Sequence, residues 1–573
     1  MDRTGPDLPA PDLFDSTRFN LCEQWTTLNL NRRAKIRPAQ CRPLCTGCDI
    51  LQRAVDLNVQ GTPNPWGLAG DFSTTSAGFP AVIELARDWL AECSQEHQNC
   101  GSAAEAPLPT RVLDLGLGSS DAVRLRELKG HMARYICLSY CWGRLEFLKT
   151  TRDNFERHKQ GIKPEELPRT FRDAITIARA LGVRYLWIDA LCIIQNDVDD
   201  ADWKRESATM VDVYRHSYLT LAPTWADSAH AGFFLPPEDD GASASIGPVT
   251  VHQVRHFPRT ATSEASVDFP VLARAWTYQE RMLAPRVLHF GRQEMLWECR
   301  DGSRCECGGA EYMASDVDKA DFHGVVSLHQ PRGGLTPQHI WRRMIMQYSP
   351  LALTYPTDKL PAFGGLAEEM RRRTGQEYLA GLWRDTLILD MCWYRDPWVD
   401  TRPSSETIRR RPTWSWASIN EPVTYHANLW GSMLKVRKNV EEYPEVLNAG
   451  CSLAGPSPTG PVHDGFVELM CSAIRAYPGG RKLAGCNTKR WDLRVGSALL
   501  ECYPDWGTKL EEDGKYYLIP MLTIDEDFCG LVVRPSSPDS EEMVRVGLAE
   551  KLRIPESEVQ DMIGQEKQRV RIV

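Results

Sequence analysis

Phe171, Ala174, Ile175, Ala178 and Leu181 recur at the three- and four-residue spacing of one helix face. Thr170 can cap this helix, and Gly182 is a stop signal just past its last apolar residue. Next comes RYLWIDALCI, almost continuously apolar, as a strand buried on both faces should be. RYICLSYCWG, further upstream, reads as another strand. Strand, helix, strand in that order predicts a crossover unit and a parallel sheet. DWKRESATMVDVYRHS predicts the next helix and SYLTLAPT a further strand. ARAWTYQERMLAPRVLHFGRQEMLWEC predicts a helix and then a strand pair. Before all of these, AVIELARDWLAECSQEH has helical spacing and PTRVLDLG reads as a short strand.

A chain of 573 residues is too long for one core, so two or three domains are expected. Residues 1–108 form a segment rich in Pro, Cys and Gly. Residues 109–300 carry the α/β pattern. Residues 301–338 are polar and Gly-rich, a linker or long loop. Residues 339–573 read as an α+β region. IWRRMIMQYSPLALT and KLPAFGGLAEEMRRR are helical, and strand-like segments follow, broken by GPSPTGP.

A net charge of −9 gives no global positive field, which argues against a nucleic-acid partner. The runs at Arg371–Arg373 and Arg409–Arg411 read as solvated faces. No basic-then-apolar leader opens the chain, and no apolar stretch is long enough to span a bilayer. Cytosol or nucleus is therefore expected, with the 18 cysteines mostly free and buried, as at Cys137, Cys192 and Cys299. No Gly-rich phosphate loop is present, so no NTPase engine is expected.

In open parallel sheets, ligands bind beyond the carboxyl ends of the strands. Ser139, Tyr140, Trp142 and Gly143 follow the strand ending at Leu138, and Asp189, Gln195 and Asn196 fall on the same rim. A hydroxyl, aromatic rings and a flexible glycine suit a small-molecule pocket. Equally, Tyr140 and Trp142 can simply cover the end of the core. Asp189 interrupts an apolar run, where an unpaired charge is expensive. Arg184, Arg274, a backbone amide or a ligand must meet it, an ion pair being the commoner outcome. Arg274, in RAWTYQE, is either a second pocket wall or part of a packed helix, and Gln279 belongs with the packed helix. Cys141 and Cys192 have no base beside them in sequence, and His216 and His289 pair with neither, so a nucleophilic role is not expected. CRPLCTGC supplies Cys41, Cys45 and Cys48, and CSQEHQNC supplies Cys93, His97 and Cys100. Four of Cys45, Cys48, Cys93, His97 and Cys100 have the ligand types of a structural zinc site. The competing reading is a set of loosely placed free thiols.

YICLSYCWG, LPRTFRDAITIARALGVRYLWIDALCIIQND, DWKRESATMVDVYRHSYLTLAPT, GFF and ARAWTYQERMLAPRVLHFG occur in that order. Together they resemble the fungal heterokaryon incompatibility (HET) domain, strongly over 135–280. The resemblance implies a cytoplasmic protein of non-self recognition and a cell-death response, with self-association or another incompatibility protein as partner. HET domains are thought to be distant relatives of TIR domains, which have a flavodoxin-like parallel sheet. Some TIR domains cleave NAD through a glutamate set a few residues after a tryptophan. That relation points to Glu206 as the catalytic carboxylate, with Trp203 three residues before it where the TIR pattern usually has four, and to NAD as substrate. The oxocarbenium-like state of such a cleavage calls for a nearby carboxylate. Glu206 as an ordinary first-turn helix residue is the alternative, and a non-enzymatic association module is the alternative for the whole domain.

Overall fold

The computed structural model describes residues 79–573 apart from 102–104, 117–121, 208, 236–242, 247–248, 253–267, 293, 307–317, 327–335, 397–411, 427–438, 480–490, 506–509 and 512. The chain forms two compact units. Of the described residues, those up to Ala273 together with Ala284–Ala320 form one; those of Arg274–Leu283 with Asp321–Val573 form the other.

The first unit is built on an eight-stranded sheet. Its strands are β1 (Arg111–Asp114), β2 (Arg124–Glu127), β3 (Tyr135–Leu138), β4 (Tyr185–Trp187), β5 (Leu219–Pro223), β6 (Arg286–Phe290), β7 (Met295–Cys299) and β8 (Ser303–Cys305). Their spatial order is β8-β7-β6-β5-β3-β4-β1-β2. The four central strands are parallel: Ile136 lies opposite both Leu186 and Leu219, and Leu221 opposite Leu288. All of β3, β5, β6 and β7 is buried, as the apolar runs predict. The outer strands pair antiparallel, so the sheet is mixed where a parallel one was expected. Between β6 and β7 the reason is connection length. Gly291–Glu294 between β6 and β7 is a hairpin, too short for a parallel crossover.

Helices α1 (Phe79–Glu96), α2 (Arg169–Ala180), α3 (Ala201–Ser207) and α4 (Met210–Arg215) belong to this unit. Helix α2 buries Phe171, Ala174, Ile175 and Ala178, and Gly182 ends the turn at a φ of 75°. Thr170 does not cap it; its hydroxyl accepts the Gly232 amide at 3.0 Å. Two expected elements are shorter than their apolar patterns. RYLWIDALCI gives only β4, and Asp189–Cys192 turns into a single helical turn because the amides of Leu191 and Cys192 both bond back to Ile188. DWKRESATMVDVYRHS gives α3 and α4 as separate helices, with the Thr209 amide and hydroxyl both directed to the Glu206 carbonyl. Within the expected linker, β8 and a helix at Lys319–Val326 are formed.

The second unit combines α5 (Ala275–Leu283), α6 (Pro337–Tyr348) and α7 (Pro361–Thr374) with a ten-stranded sheet. That sheet is antiparallel except where Glu542–Lys551 runs beside Gln568–Ile572. Helix α5 approaches α7 closely, and the Gly365 amide donates to Gln279 Oε1 at 2.7 Å, which is the packing role expected of Gln279. Trp341, Trp383, Trp393, Trp414 and Trp416 are fully buried. Arg371 and Arg372 pair with Glu368, and Arg373 with Glu369, so that basic run is an ion-paired helix face. Arg409–Arg411 lies outside the described residues. Among the described residues, no helix is long and apolar enough to cross a membrane.

Candidate functional site

Asp189 sits two residues beyond β4, half-buried, and it organises the rim. Tyr140 Oη donates to its Oδ1 at 2.9 Å and Trp142 Nε1 to its Oδ2 at 2.8 Å. The Ala190 amide adds a third bond at 2.7 Å. The residues that follow β3 are thus tied to the residue that follows β4. Of the partners expected for Asp189, the backbone amide is present. Arg184 instead makes a two-pronged contact with Asp114, at 2.8 Å on each oxygen, and that guanidinium holds the Asp114 carboxyl below its ordinary pKa.

Around this knot lies an aromatic group. Phe147 meets Tyr140, Trp142, Phe171 and His230 edge-on, and Lys149 Nζ lies 5.2 Å over both Trp142 and Phe147. Ser139 is buried and its amide bonds to Leu221. Gly143 has φ 77°, and a Cβ there would meet Ser228 Cβ at 2.4 Å, so only glycine fits the close approach of the two loops. Gln195 donates to the carbonyls of Asp189 and Ile193, and Asn196 accepts the Arg152 amide. Arg274 belongs to the second unit, where its backbone pairs with Ala352.

At the other end of the Asp189–Cys192 turn is a buried ion cluster. Arg111, from β1, donates to the Cys192 carbonyl at 2.6 Å and to Asp202 at 2.5 Å. Asp202 also accepts the Ile194 amide at 2.8 Å and an ion pair from Arg205. Glu206 is only 6% exposed, with Arg205 Nε at 3.3 Å and Arg111 Nη2 at 3.7 Å from the same oxygen. It lies in the last turn of α3, since that helix stops at Ser207. Trp203 is 38% exposed. Cys192 is sealed in the core, and burial pushes its thiol up to about 12, which fits the inert role expected of it.

A second constellation joins α1 to β7. Cys93, His97, Cys100 and Cys299 bring one ligand atom each to within 4.8 Å of one another, and such a set can hold a metal ion. Cys93 and His97 are one helical turn apart near the end of α1, and Cys100 follows on a short helical turn at Gln98–Cys100. Cys299 is the last residue of β7, and its sulfur is 3.3 Å from His97 Nδ1. Hydrogen bonds from Cys100 and Cys93 draw the Cys299 thiol far below its ordinary pKa, and Cys100, donating to Cys299, is raised. Cys41, Cys45 and Cys48 lie outside the described residues. Arg111, Asp202, Phe147 and Cys299 were not singled out as site residues by the sequence. The signal for Cys299 was its place at the end of an apolar strand, which reads more simply as core.

The first unit is thus an α/β domain with polar side chains gathered at the carboxyl rim of parallel strands. Residues 135–280 match the family model described as heterokaryon incompatibility protein (HET). The chain carries a HET domain over that stretch, from the first residue of β3 into α5. Arg111 and all four residues of the Cys/His group fall outside the matched range. No curated protein and no solved structure matches the chain.

Proposed function

We propose that this chain acts in heterokaryon incompatibility, as a cytoplasmic effector of non-self recognition and regulated cell death, through its HET domain. The match over 135–280 carries this reading. The HET domain would extend to about 109–300, and the region from 339 onward would sense or regulate. A partner would be a second copy or another incompatibility protein.

For the activity, we propose hydrolysis of NAD at the rim of β3 and β4. Along the sheet the four parallel strands run β4-β3-β5-β6, which is second, first, third, fourth in chain order. That order resembles the 2-1-3-4 order of flavodoxin-like sheets, whose ligands sit between the first and third strands, here β3 and β5; it supports a ligand at the carboxyl end of β3 and kinship with TIR domains. Ser139, Tyr140, Trp142, Gly143, Asp189, Gln195 and Trp203, all of the first unit, would bind the substrate. Glu206 would stabilise the positive charge that develops on the ribose. The ribose–nicotinamide bond breaks, nicotinamide leaves as a neutral group with the bonding pair, and water adds hydroxyl to the ribose carbon and releases a proton.

The test is NAD and nicotinamide measured over time with wild type and Glu206→Gln at high protein concentration, both folded by circular dichroism. NAD loss in the wild type, falling at least about a hundredfold in the variant, supports the enzyme. A specific observation favours a second reading. Arg111 and Arg205 account for the charge of Glu206 without any substrate, as expected of a module that signals by association alone. No NAD loss, together with concentration-dependent assembly in sedimentation, would support that reading.

A further inference from the structure

We propose that Cys93, His97, Cys100 and Cys299 bind one zinc ion that fastens α1 to the end of β7. The expected ligand set drew on Cys45 and Cys48. Those two lie outside the described residues; among the described ones, three of the expected set are joined by Cys299, from 202 positions beyond His97.

The geometry fits a closed tetrahedral site. Zn–S bonds of about 2.3 Å and Zn–N bonds of about 2.1 Å put neighbouring ligand atoms roughly 3.5–3.8 Å apart. All four atoms lie within 4.8 Å of one another, and the His97 Nδ1 to Cys299 Sγ distance, 3.3 Å, is close to one edge of that tetrahedron. None of the three cysteines is in a disulfide. Three soft sulfurs and one imidazole select zinc over hard cations. Four protein ligands leave no open position, so the site is structural rather than catalytic.

The surroundings suit the charge. Three thiolates and Zn²⁺ leave a net −1, and the 2% exposed Arg286 faces it with Nε 3.3 Å from Cys93 Sγ. The same guanidinium donates to the carbonyls of Cys100 and Gly101 at 3.3 and 3.0 Å, which fixes the turn that carries the third ligand. Asp301, two residues past Cys299, accepts the Asn99 amide at 3.3 Å and the Asn99 side chain at 2.5 Å. It is also 3.7 Å from Cys100 Sγ. The knuckle at 97–101 is therefore held from both sides by groups outside the ligand set, as supporting shells of metal sites commonly are. Trp89 and Trp297, with ring centroids 6.3 Å apart, join the same helix and strand near the site.

The experiment is metal content of the full chain, purified without added metal, by plasma mass spectrometry. One zinc per chain is expected. Cys299→Ser should lose it, whereas Cys305→Ser, a buried thiol outside the ligand set, should keep it. Should Cys299→Ser fail to fold, wild type stripped and reloaded with Co²⁺ decides. The visible bands of a tetrahedral ion, with a charge-transfer band of three thiolates, support the proposal. Zinc-free protein that also fails to take up Co²⁺, full zinc retention in Cys299→Ser, or iron in place of zinc would each overturn it.

Discussion

At the scale of single residues, proton positions follow from who donates to whom. Thr150 Oγ1 donates to the Leu191 carbonyl at 2.6 Å, so its proton is committed. His158 Nδ1, 2.9 Å from the same oxygen, must then be the donor, and Nε2 is left as acceptor, 3.4 Å from Arg157 Nη2. A second proton would point at a guanidinium from inside the core. Burial first, and Arg157 second, hold the His158 pKa down to about 4, against a smaller opposing pull from Glu166. The folded chain thus keeps the ring neutral where the unfolded chain, titrating near 6.5, takes up a proton first. The contribution is complete above pH about 6.5 and is lost as pH falls toward 4, by up to about 3 kcal/mol. Urea midpoints across that range should slope for wild type and flatten for His158→Gln. Asp189 teaches a related lesson about legibility. Its cost in an apolar run was visible in the sequence, and so was the need for partners. That Tyr140 and Trp142 would supply them was not, because two neutral donors on another strand end leave no charge pattern to read.

At the scale of elements, Arg111 is the link between β1 and α3. It is 4% exposed and its partner Asp202 1%, so each has left water on condition that the other is present. Arg111→Met should cost about 3 kcal/mol by leaving Asp202 only the exposed Arg205 as a charged partner and by weakening the hold on Glu206. Adding Asp202→Leu should recover a large part of it. Chemical denaturation of the two variants measures both. The elements themselves were largely legible: the 3.6-residue spacing in α2 and the apolar runs of β3, β5 and β6 stand where they were read. Where apolar runs overshot, as in RYLWIDALCI, a strand and a helical turn share one hydrophobic signature, and periodicity cannot divide them. The strand pair at β6 and β7 was legible in its short connection, but the antiparallel pairing of β1 with β4 was not, because it depends on which distant strands end up adjacent.

For the whole molecule, the family match and the folding unit do not coincide. Residues 135–280 omit β1, β2 and β6–β8. They would leave β4 and β5 as bare edges and Asp202 and Glu206 without Arg111. A fragment with those bounds should lack a cooperative unfolding transition and aggregate, whereas the full chain should show one or more sharp transitions by calorimetry. The Cys/His group has its own consequence, in time rather than space. A ribosome adds roughly 5–20 residues per second, so Cys93, His97 and Cys100 wait on the order of 10–40 s for Cys299 to emerge. Through that interval the nascent chain exposes three of the four candidate zinc ligands without the fourth. The cell's supply of chaperones and free metal at the exit tunnel would bear on how much of this protein reaches its native state.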